Sequence, residues 1–355
     1  MKKNLFTAIA VLFLAFGASA QHRADPQKLD NPKSFSMIMM GDPQNYVKNT
    51  FYQPIFELCT VWMTDHMEPL NIKAVLFTGD MVNRNDFVNP RSKTEDQSSR
   101  QMWEWCSHCL KRLDNKIPYI IAPGNHEYGY MYGDGEFTHE PEYIYYERNS
   151  KWAECLVASF PNRQGVMSLE NSAYEFKDKN WGKLLVLTLE WAPRDTVVQW
   201  ARRLCSAEKY KKHFIILNVH SYLRAGHPAN YTASKAPGHN QGKELWEKLV
   251  KPSHNIRLVL CGHTGRGKGE NEFEQNVGFR SDKNDAGKTV HQMMFNCQFI
   301  GHYNGGDGWL RILEFMPNGK NIHVKTYSPL FGISPMTRQY AHRTASYDQF
   351  VMKFD

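Results

Sequence analysis

The stretch Ile120-Ile121-Ala122-Pro123-Gly124-Asn125-His126-Glu127 joins a short apolar run to a group of metal-ligand residues. Four other apolar runs lead into similar groups, which read Gly41-Asp42-Pro43-Gln44, Gly79-Asp80, Val219-His220 and Gly262-His263-Thr264-Gly265. Each run has the length of a β-strand and ends at Gly, Pro or a polar residue, as buried strands do. The five groups therefore indicate strand ends that carry ligand residues.

The apolar runs alternate with helical patterns, which indicates an α/β layered core. The helical spacing is clearest in three segments, which span residues 55–63, 103–113 and 197–204. The strands predicted from apolar runs are residues 36–40, 74–78, 118–122, 172–176, 183–189, 214–219 and 256–260. The last part of the chain alternates as antiparallel strands do, at residues 290–299, 309–315 and 322–327. We expect these C-terminal strands to add a second sheet to the first.

The first twenty residues have the pattern of a secretory signal peptide. Lys2 and Lys3 give a basic start, residues 5–16 are apolar, and Ala18-Ser19-Ala20 is a small-residue cleavage site. An N-terminal membrane anchor is the alternative, but the apolar run is too short to cross a bilayer comfortably. We expect an exported protein, periplasmic or secreted, without a membrane span.

Charge and cysteine content exclude some classes of function. The net charge of +7 comes from scattered Lys and Arg, so the sequence does not predict a nucleic-acid partner, and an anionic substrate is compatible. The chain has seven cysteines, and this odd number leaves at least one unpaired in a monomer. Cys106 and Cys109 have the spacing of half a zinc knuckle, but a second pair is missing. We predict buried free thiols.

The ligand groups predict a site for two divalent cations. Ligands of an open α/β sheet gather beyond the carboxyl ends of its strands, where Asp42, Asp80, Asn125, His220 and His263 are expected. One such residue alone is more often a turn, cap or satisfied polar residue, but five at five strand ends favour metal binding. A carboxylate such as Asp80 can bridge two cations, and imidazole suits Zn, Mn or Fe.

His126 directly follows a ligand position and need not bind metal itself. It is predicted to face the substrate as a general acid or as a cation that stabilises developing charge. Two cations about 3.5–4 Å apart would lower the pKa of a hydroxide held between them and clamp an in-line displacement at phosphorus. Asp80 and His126 are therefore the predicted catalytic residues.

The order Asp-x-Gln, Gly-Asp, Gly-Asn-His-Glu, His and Gly-His-x resembles the calcineurin-like metallophosphoesterase superfamily. The stretches Pro193-Arg194-Asp195 and Gly305–Arg311 further resemble its exported bacterial members. The resemblance covers about residues 39–265, and Gly305–Arg311 extends it. It implies a two-sheet α/β/β/α sandwich in one domain at residues 35–330 that includes the C-terminal strands. Around this domain we place a signal peptide at 1–20, a lead-in at 21–34 and a tail at 331–355.

The resemblance also divides the ligands between two metals. It implies that Asp80, Asn125, His220 and His263 hold the second metal, and that Asp42, residue 44, Asp80 and residue 265 hold the first. Here Gln44 and Gly265 stand where the superfamily has histidines. Gln44 retains an amide oxygen, whereas Gly265 has no side chain, so the first site is expected to be weak or to recruit another ligand. The candidates are His239, which is the first choice, His291, His302 or a water.

Two polar loops and two arginines are candidates for substrate contact. The Tyr-rich loop 128–149 and the loop 224–241 follow ligand groups, although solvated insertions without function look the same. Arg194 and Arg224 carry guanidinium groups that match phosphate oxygens, and His239 lies in the second loop. A surface arginine without such a role is the competing interpretation for each.

The favoured function is that of a metal-dependent phosphoesterase that cleaves a phosphomonoester or phosphodiester by in-line attack of a metal-bound hydroxide. An alternative on the same fold is a catalytically impaired protein that binds metal or a phosphate ligand, because residue 265 lacks a donor. An exported nuclease is disfavoured, since no basic aromatic groove is evident. The sequence leaves the substrate, the identity of the metals and the oligomeric state open.

Overall fold

The computed structural model describes residues 27–90, 92–266, 273–300 and 304–355. The predicted signal peptide at residues 1–20 lies outside the described residues, and so does His302. Of the predicted lead-in, residues 27–34 are described, and they end where the first strand begins.

The strands of the described residues are numbered in chain order. They are β1 (Phe35–Met40), β2 (Ile72–Phe77), β3 (Tyr119–Ile121), β4 (Leu156–Ser159), β5 (Ser172–Asp178), β6 (Gly182–Thr188), β7 (Phe214–Asn218), β8 (Ile256–Cys261), β9 (Val277–Lys283), β10 (Thr289–Phe295), β11 (Leu310–Phe315), β12 (Asn321–Tyr327), β13 (His342–Arg343) and β14 (Phe350–Lys353). Every strand expected from an apolar run is present within a few residues of its expected bounds. The sequence patterns did not reveal β4, β9, β13 and β14.

The α-helices are α1 (Gln44–Val47), α2 (Gln53–Asp65), α3 (Ser99–Leu110), α4 (Glu140–Tyr143), α5 (Ser150–Cys155), α6 (Asp195–Ser206), α7 (Gly242–Leu245) and α8 (Pro329–Gly332). A π-helical turn at Trp246–Val250 continues α7. A capping box starts α3, because the Ser98 hydroxyl accepts from the Gln101 N–H while the Gln101 side chain accepts from the Ser98 N–H.

Two mixed sheets form the centre of the fold. The first has the order β13-β12-β11-β1-β2-β3, with β14 also paired to β12, and the second has the order β4-β5-β6-β7-β8-β10-β9. Strands β1, β2 and β3 are parallel, as are β6, β7, β8 and β10. The parallel strands direct their carboxyl ends to one edge of each sheet, and this arrangement positions the ligand groups.

The C-terminal strands do not form a sheet of their own, so that expectation was wrong. Strand β11 pairs antiparallel with β1, and β10 pairs parallel with β8, so the C-terminal region completes both sheets. Packing explains the pairing of β11, because Phe35 and Phe315 stack with ring centroids 4.5 Å apart. Hydrophobic alternation specifies which face of a strand is buried but not its partner strand.

Alternating side chains of the second sheet define the layers. Leu184 and Val186 belong to the same buried cluster as β1 and β2, whereas Leu185 and Leu187 pack in a second cluster with α6. Since successive strand residues point to opposite faces, one face of this sheet meets the first sheet and the other meets helices. Helices α2 and α3 likewise contribute to the first cluster. The result is the expected α/β/β/α sandwich.

The segment assigned to a C-terminal tail, residues 331–355, contributes strands β13 and β14 to the first sheet. Strand β14 pairs with β12 in register from Asn321 opposite Lys353 to Val324 opposite Phe350. Met352 is buried, and the Phe354 ring packs edge-on against Phe214 at 4.9 Å. The alternation in β14 is only four residues long, which is too short to distinguish a strand from a turn in sequence. Within the described residues, no helix is long and apolar enough to cross a membrane.

All seven cysteines are free and buried, as the sequence predicts. Burial raises the pKa of Cys205, Cys261 and Cys297 to about 12, because the thiolate would lose its hydration. The Cys106 and Cys109 thiols have raised pKa values for the same reason, so neither resembles a metal-binding thiolate.

We therefore expect the folded protein to resist thiol reagents. Native protein should react with Ellman's reagent at neutral pH far more slowly than protein in concentrated guanidinium chloride, where all seven thiols should titrate. Rapid labelling of a protein whose circular dichroism remains native would contradict the burial described here.

Candidate metal centre

The ends of five parallel strands bring the predicted ligands to one crevice between the two sheets. The first sheet supplies Asp42 after β1, Asp80 after β2 and Asn125 after β3, and the second supplies His220 after β7 and His263 after β8. Asp42, Asp80 and His220 are buried, while Asn125 and His263 are partly exposed. A crevice of this kind is the usual ligand site of α/β sheets.

Four of these side chains converge closely. The His220 Nε2 lies 3.2 Å from the Asp80 Oδ1 and 3.2 Å from the Asn125 Oδ1. The His263 Nδ1 lies 3.1 Å from the same His220 nitrogen. Ligand atoms of Asp80, His220 and His263 all lie within 4.8 Å of one another. Two imidazole nitrogens, a carboxylate and an amide oxygen form a donor set that suits Zn, Mn or Fe.

A backbone contact orients the His220 ring. Its Nδ1 lies 2.6 Å from the Thr78 carbonyl oxygen, which accepts the Nδ1–H hydrogen bond. In the neutral ring this contact places the proton on Nδ1, so that the lone pair of Nε2, the atom at the centre of the cluster, can face a cation. The Thr78 carbonyl is thus a supporting contact of the kind that metal-binding histidines use.

Asp42 and Gln44 form the other half of the crevice. The Asp42 Oδ2 accepts from the His263 backbone N–H at 2.8 Å and from the Gln298 Nε2 at 3.2 Å. The Gln44 Nε2 donates to the Asp80 Oδ2 at 2.9 Å, and its buried Oε1 has no hydrogen-bond partner among the residues that the structure describes. An unpartnered buried acceptor costs free energy, and a cation would satisfy it. The residues present therefore fit a second cation.

The backbone is strained at three ligand positions, and two glycines allow close contacts with the carboxylates. Asp42, Asp80 and His263 have φ angles of 40°, 52° and 70°, in the left-handed region. A Cβ at Gly124 would lie 2.1 Å from the Asp80 Oδ1, and a Cβ at Gly262 would lie 2.1 Å from the Asp42 Oδ1. These two glycines therefore let the backbone approach both carboxylates closely.

Glu127, a residue that sequence reasoning did not assign, connects two of the ligand loops. Its buried carboxylate accepts from the backbone N–H groups of Gly124 at 2.6 Å, Asp80 at 2.8 Å and Val82 at 3.2 Å. Burial and the nearby Asp80 charge raise the pKa of Glu127 to about 8. Its place directly after Gly-Asn-His was the available signal.

Burial and neighbouring charges shift the pKa values of the ligand residues in the crevice. Burial lowers the pKa of His220, but the Asp80 carboxylate more than reverses this and raises it to about 9. Burial and the neighbouring His220 lower the pKa of His263 to about 3. Burial also raises the pKa of Asp42 well above its usual range. Neighbouring Asp42, Asp80 and Glu127 carboxylates repel one another, and cations would relieve this repulsion.

His126 is oriented towards Asp80 without belonging to the converging set. Its Nδ1 lies 2.6 Å from the Asn83 carbonyl oxygen, and its Nε2 lies 3.9 Å from the Asp80 Oδ2. The side chain is 22% exposed, so part of the ring is accessible to solvent. The Tyr132 ring from the Tyr-rich loop lies beside it, with centroids 5.6 Å apart.

The three residues predicted to contact substrate have different surroundings. The Arg194 guanidinium is paired with Glu190, at 2.8 Å and 3.0 Å, and also donates to the Pro161 carbonyl oxygen, so its position gives the phosphate-binding prediction no support. Arg224 is exposed and lines a cavity with Thr264 and Gly265. The His239 Nδ1 lies 3.2 Å from the Ala192 carbonyl oxygen, in the wall of a different cavity.

His291 is excluded as a replacement ligand. Its Nδ1 lies 2.7 Å from the Ser281 Oγ, and its Nε2 lies 2.8 Å from the Lys353 carbonyl oxygen. Both ring nitrogens are therefore occupied in the second sheet.

Trp191 is a second residue that the sequence patterns did not single out. Its ring lies against the two ligand histidines, with centroids 5.0 Å from His263 and 5.5 Å from His220. A cavity of about 520 Å³ opens beside it. Residues in its wall include Arg163, Lys235, His239, Gln241 and Glu136. An aromatic residue just after β6 was a weak signal, because such residues are usually part of the core.

The space near Gly265 is filled by Asn276. A Cβ at position 265 would lie 2.2 Å from the Asn276 Oδ1. That oxygen accepts from the Arg266 N–H at 3.2 Å, and the Asn276 Nδ2 donates to the Arg266 carbonyl oxygen at 2.9 Å. Asn276 thus holds the backbone of this loop and leaves no room for a side chain at position 265.

Comparison with known proteins agrees with this geometry. The sequence model of the calcineurin-like phosphoesterase family matches residues 43–267, more than half of the chain. YvnB, an uncharacterized protein of Bacillus subtilis, is 27% identical over 297 residues; the match covers 83% of this chain and 20% of that protein, so the chain spans about a fifth of its length. A dimetal phosphatase from Danio rerio shares the fold with a TM-score of 0.51 and 10% identity, over 90% of this chain and 99% of that one. The family match, on ligands that the fold brings together, shows that the chain belongs to the calcineurin-like phosphoesterase family.

Proposed function

We propose that the protein is a metal-dependent phosphoesterase that hydrolyses a phosphomonoester or phosphodiester of a small molecule. The observation that carries this proposal is the convergence of Asp80, Asn125, His220 and His263 beside the partly exposed His126 side chain. Family membership and the fold shared with a dimetal phosphatase support it.

Asp80, Asn125, His220 and His263 would hold one divalent cation, and Asp42 and Gln44 would hold a second one together with Asp80. Bound there, the two cations would neutralise phosphate oxygens and lower the pKa of a water. The Asp42 and Asp80 carboxylates are buried at these positions, and the Thr78 carbonyl oxygen orients the His220 ring so that Nε2 faces the cluster. The protein thus supplies a rigid and mostly water-excluded donor set.

His126 is the residue best placed to move a proton. The Asn83 carbonyl oxygen accepts from its Nδ1–H, so Nε2 is the atom that exchanges a proton with substrate. When protonated, Nε2 can donate to the leaving-group oxygen as the phosphoester bond breaks.

The cavity beside Trp191 is the proposed place for the organic part of the substrate. Its wall includes the Trp191 ring, which lies against the histidine ligands, and the basic residues Arg163 and Lys235. An aromatic wall with a few charged groups is typical of a site for a small anionic molecule.

The alternative is a protein that binds metal or a phosphate ligand without turnover. Gly265 motivates this alternative, because Asn276 occupies the space that a ligand side chain at this position would enter. Metal binding without hydrolysis of any phosphoester would favour it over the enzyme.

We expect replacement of His126 to reduce turnover without removing metal. His126→Asn should lower kcat by about 10²–10⁴-fold, the usual contribution of a general acid. The loss should be larger for an alkyl phosphate than for p-nitrophenyl phosphate, whose leaving group needs little protonation. Asp80→Asn should lose both metal and turnover. Steady-state kinetics with added Mn, Zn or Fe, together with elemental analysis of each variant, measure these effects.

Equal losses for both leaving groups in His126→Asn would contradict the role as general acid. Full activity in His126→Asn and Asp80→Asn together would contradict the proposed enzyme.

Glu127 acts as a positioning residue for this chemistry. Its three backbone hydrogen bonds tie the Asp80 loop to the turn that carries Asn125 and His126. Without them, the distance between the metal ligands and the proton donor would be poorly defined.

We expect Glu127→Ala to destabilise the protein by more than about 2 kcal/mol, since each buried N–H left unsatisfied costs about 1–3 kcal/mol. Glu127→Gln retains one acceptor oxygen and should cost less. The exposed Glu136, changed to Ala, is the control and should leave stability unchanged. Urea unfolding of the three variants measures this order, and a Glu127→Ala protein as stable as the parent would refute the role of the carboxylate.

A further inference from the structure

We propose that Gln298 supplies the ligand that Gly265 cannot, and that the first metal site is therefore an oxygen-only site for a hard cation such as Mn²⁺ or Mg²⁺. Its donors would be Asp42, Gln44, Asp80 and Gln298. The inference rests on the two-cation centre of the proposed function, but it concerns metal binding and does not require turnover.

The structure places Gln298 at the first site. Gln298 is buried, and its Nε2 lies 3.2 Å from the Asp42 Oδ2. Its backbone is held on both sides, because its N–H donates to the Asn296 Oδ1 at 3.1 Å and its carbonyl oxygen accepts from the Asn45 Nδ2 at 2.9 Å. The side chain therefore reaches the carboxylate from a fixed backbone position.

A close contact between two strand ends creates this position. A Cβ at Gly41 would lie 2.3 Å from the Phe295 carbonyl oxygen, at the end of β10. The Cys297 thiol donates to the Gly41 carbonyl oxygen across the same contact, with an S–O distance of 3.6 Å. Because only glycine fits at position 41, the segment after β10 lies directly against the turn that carries Asp42.

Two glutamine amides thus face the two carboxylates. Gln298 donates to Asp42, Gln44 donates to Asp80, and the buried Gln44 Oε1 has no partner within the described part of the chain. A half-turn about the last side-chain bond exchanges the amide nitrogen and oxygen within almost the same volume. Each amide can therefore present an oxygen donor to a cation held between the carboxylates.

This arrangement also explains why position 265 can lack a donor. Asn276 fills the space next to Gly265 and hydrogen-bonds the backbone of residue 266. A ligand that approaches from the segment after β10 does not need that space. In this proposal the ligand comes from the segment after β10 and not from the loop after β8.

The two metal sites would then differ in chemistry. The first would offer only carboxylate and amide oxygens, which suit Mg²⁺ and Mn²⁺, whereas the second has two imidazole nitrogens, which suit Zn²⁺. Zn²⁺ generally binds more tightly than Mn²⁺ to a given site. We therefore compare the ratio of the Zn²⁺ affinity to the Mn²⁺ affinity at the two sites, and we expect this ratio to be smaller at the first site.

The test uses the full chain with three substitutions. Gln298→Met keeps the length of the side chain and removes the oxygen donor, Gln298→Glu supplies a charged oxygen donor, and Phe299→Leu is a control on the neighbouring exposed residue. Each protein is loaded with one equivalent of Zn²⁺ and then titrated with Mn²⁺. Free Mn²⁺ is followed by electron paramagnetic resonance, and thermal unfolding of metal-free protein checks folding.

We expect the parent and Phe299→Leu to bind Mn²⁺ alike. Loss of a partner that only supports a metal ligand already costs about 10–100-fold in affinity, so Gln298→Met should bind Mn²⁺ at least about tenfold more weakly. Gln298→Glu should bind Mn²⁺ at least as tightly as the parent. Pulsed spectra of the bound Mn²⁺ should show no directly coordinated imidazole nitrogen.

Equal Mn²⁺ affinity in the parent and a folded Gln298→Met would overturn the inference, as would imidazole coupling to the bound Mn²⁺. These outcomes are distinct from failure of the proposed function. A protein that binds both metals as described but hydrolyses no phosphoester would refute the enzyme and leave the role of Gln298 intact.

Discussion

The burial of two carboxylates in one crevice is the constraint on which the rest of the site depends. Asp42 and Asp80 are almost fully buried, and Glu127 adds a third carboxylate to their surroundings. Buried like charges are unfavourable unless they are paired or coordinate a metal. Histidines and amides converge on them, and glycines at 124 and 262 allow the close approach. These features have a common explanation if the crevice holds divalent cations.

The two-sheet architecture lets a single crevice collect ligands that are far apart in sequence. Parallel strands of the first sheet deliver Asp42, Asp80 and Asn125, and parallel strands of the second deliver His220 and His263. The core between the sheets sets the separation of these groups, and the loops beyond the strand ends carry Trp191 and Gln298. The strand ends thus form a rigid framework of metal ligands, and the loops beyond them complete the site.

Much of this organisation could be predicted because buried parallel strands leave continuous apolar runs and their ligands follow directly. The strands from β1 to β3 and from β6 to β8 belong to this class. The sheet partners of β10 and β11 could not be predicted, since alternation does not encode which edge a strand joins. Glu127, Trp191 and Gln298 acquire their roles only through contacts across the fold. The lack of space for a side chain at position 265 could not be predicted either, because it depends on Asn276, which lies eleven residues away and belongs to no motif.

Binding of two divalent cations in the crevice between the sheets can be tested with crystals of the protein grown with Zn²⁺ and Mn²⁺. Anomalous scattering at the absorption edge of each metal locates the bound ions. We expect two adjacent peaks, one contacting Asn125, His220 and His263 and the other contacting Asp42, Gln44 and Gln298, with Asp80 between them. The absence of any anomalous peak in the crevice, or a single peak that does not contact Asp42 and Gln44, would contradict the binding of two cations.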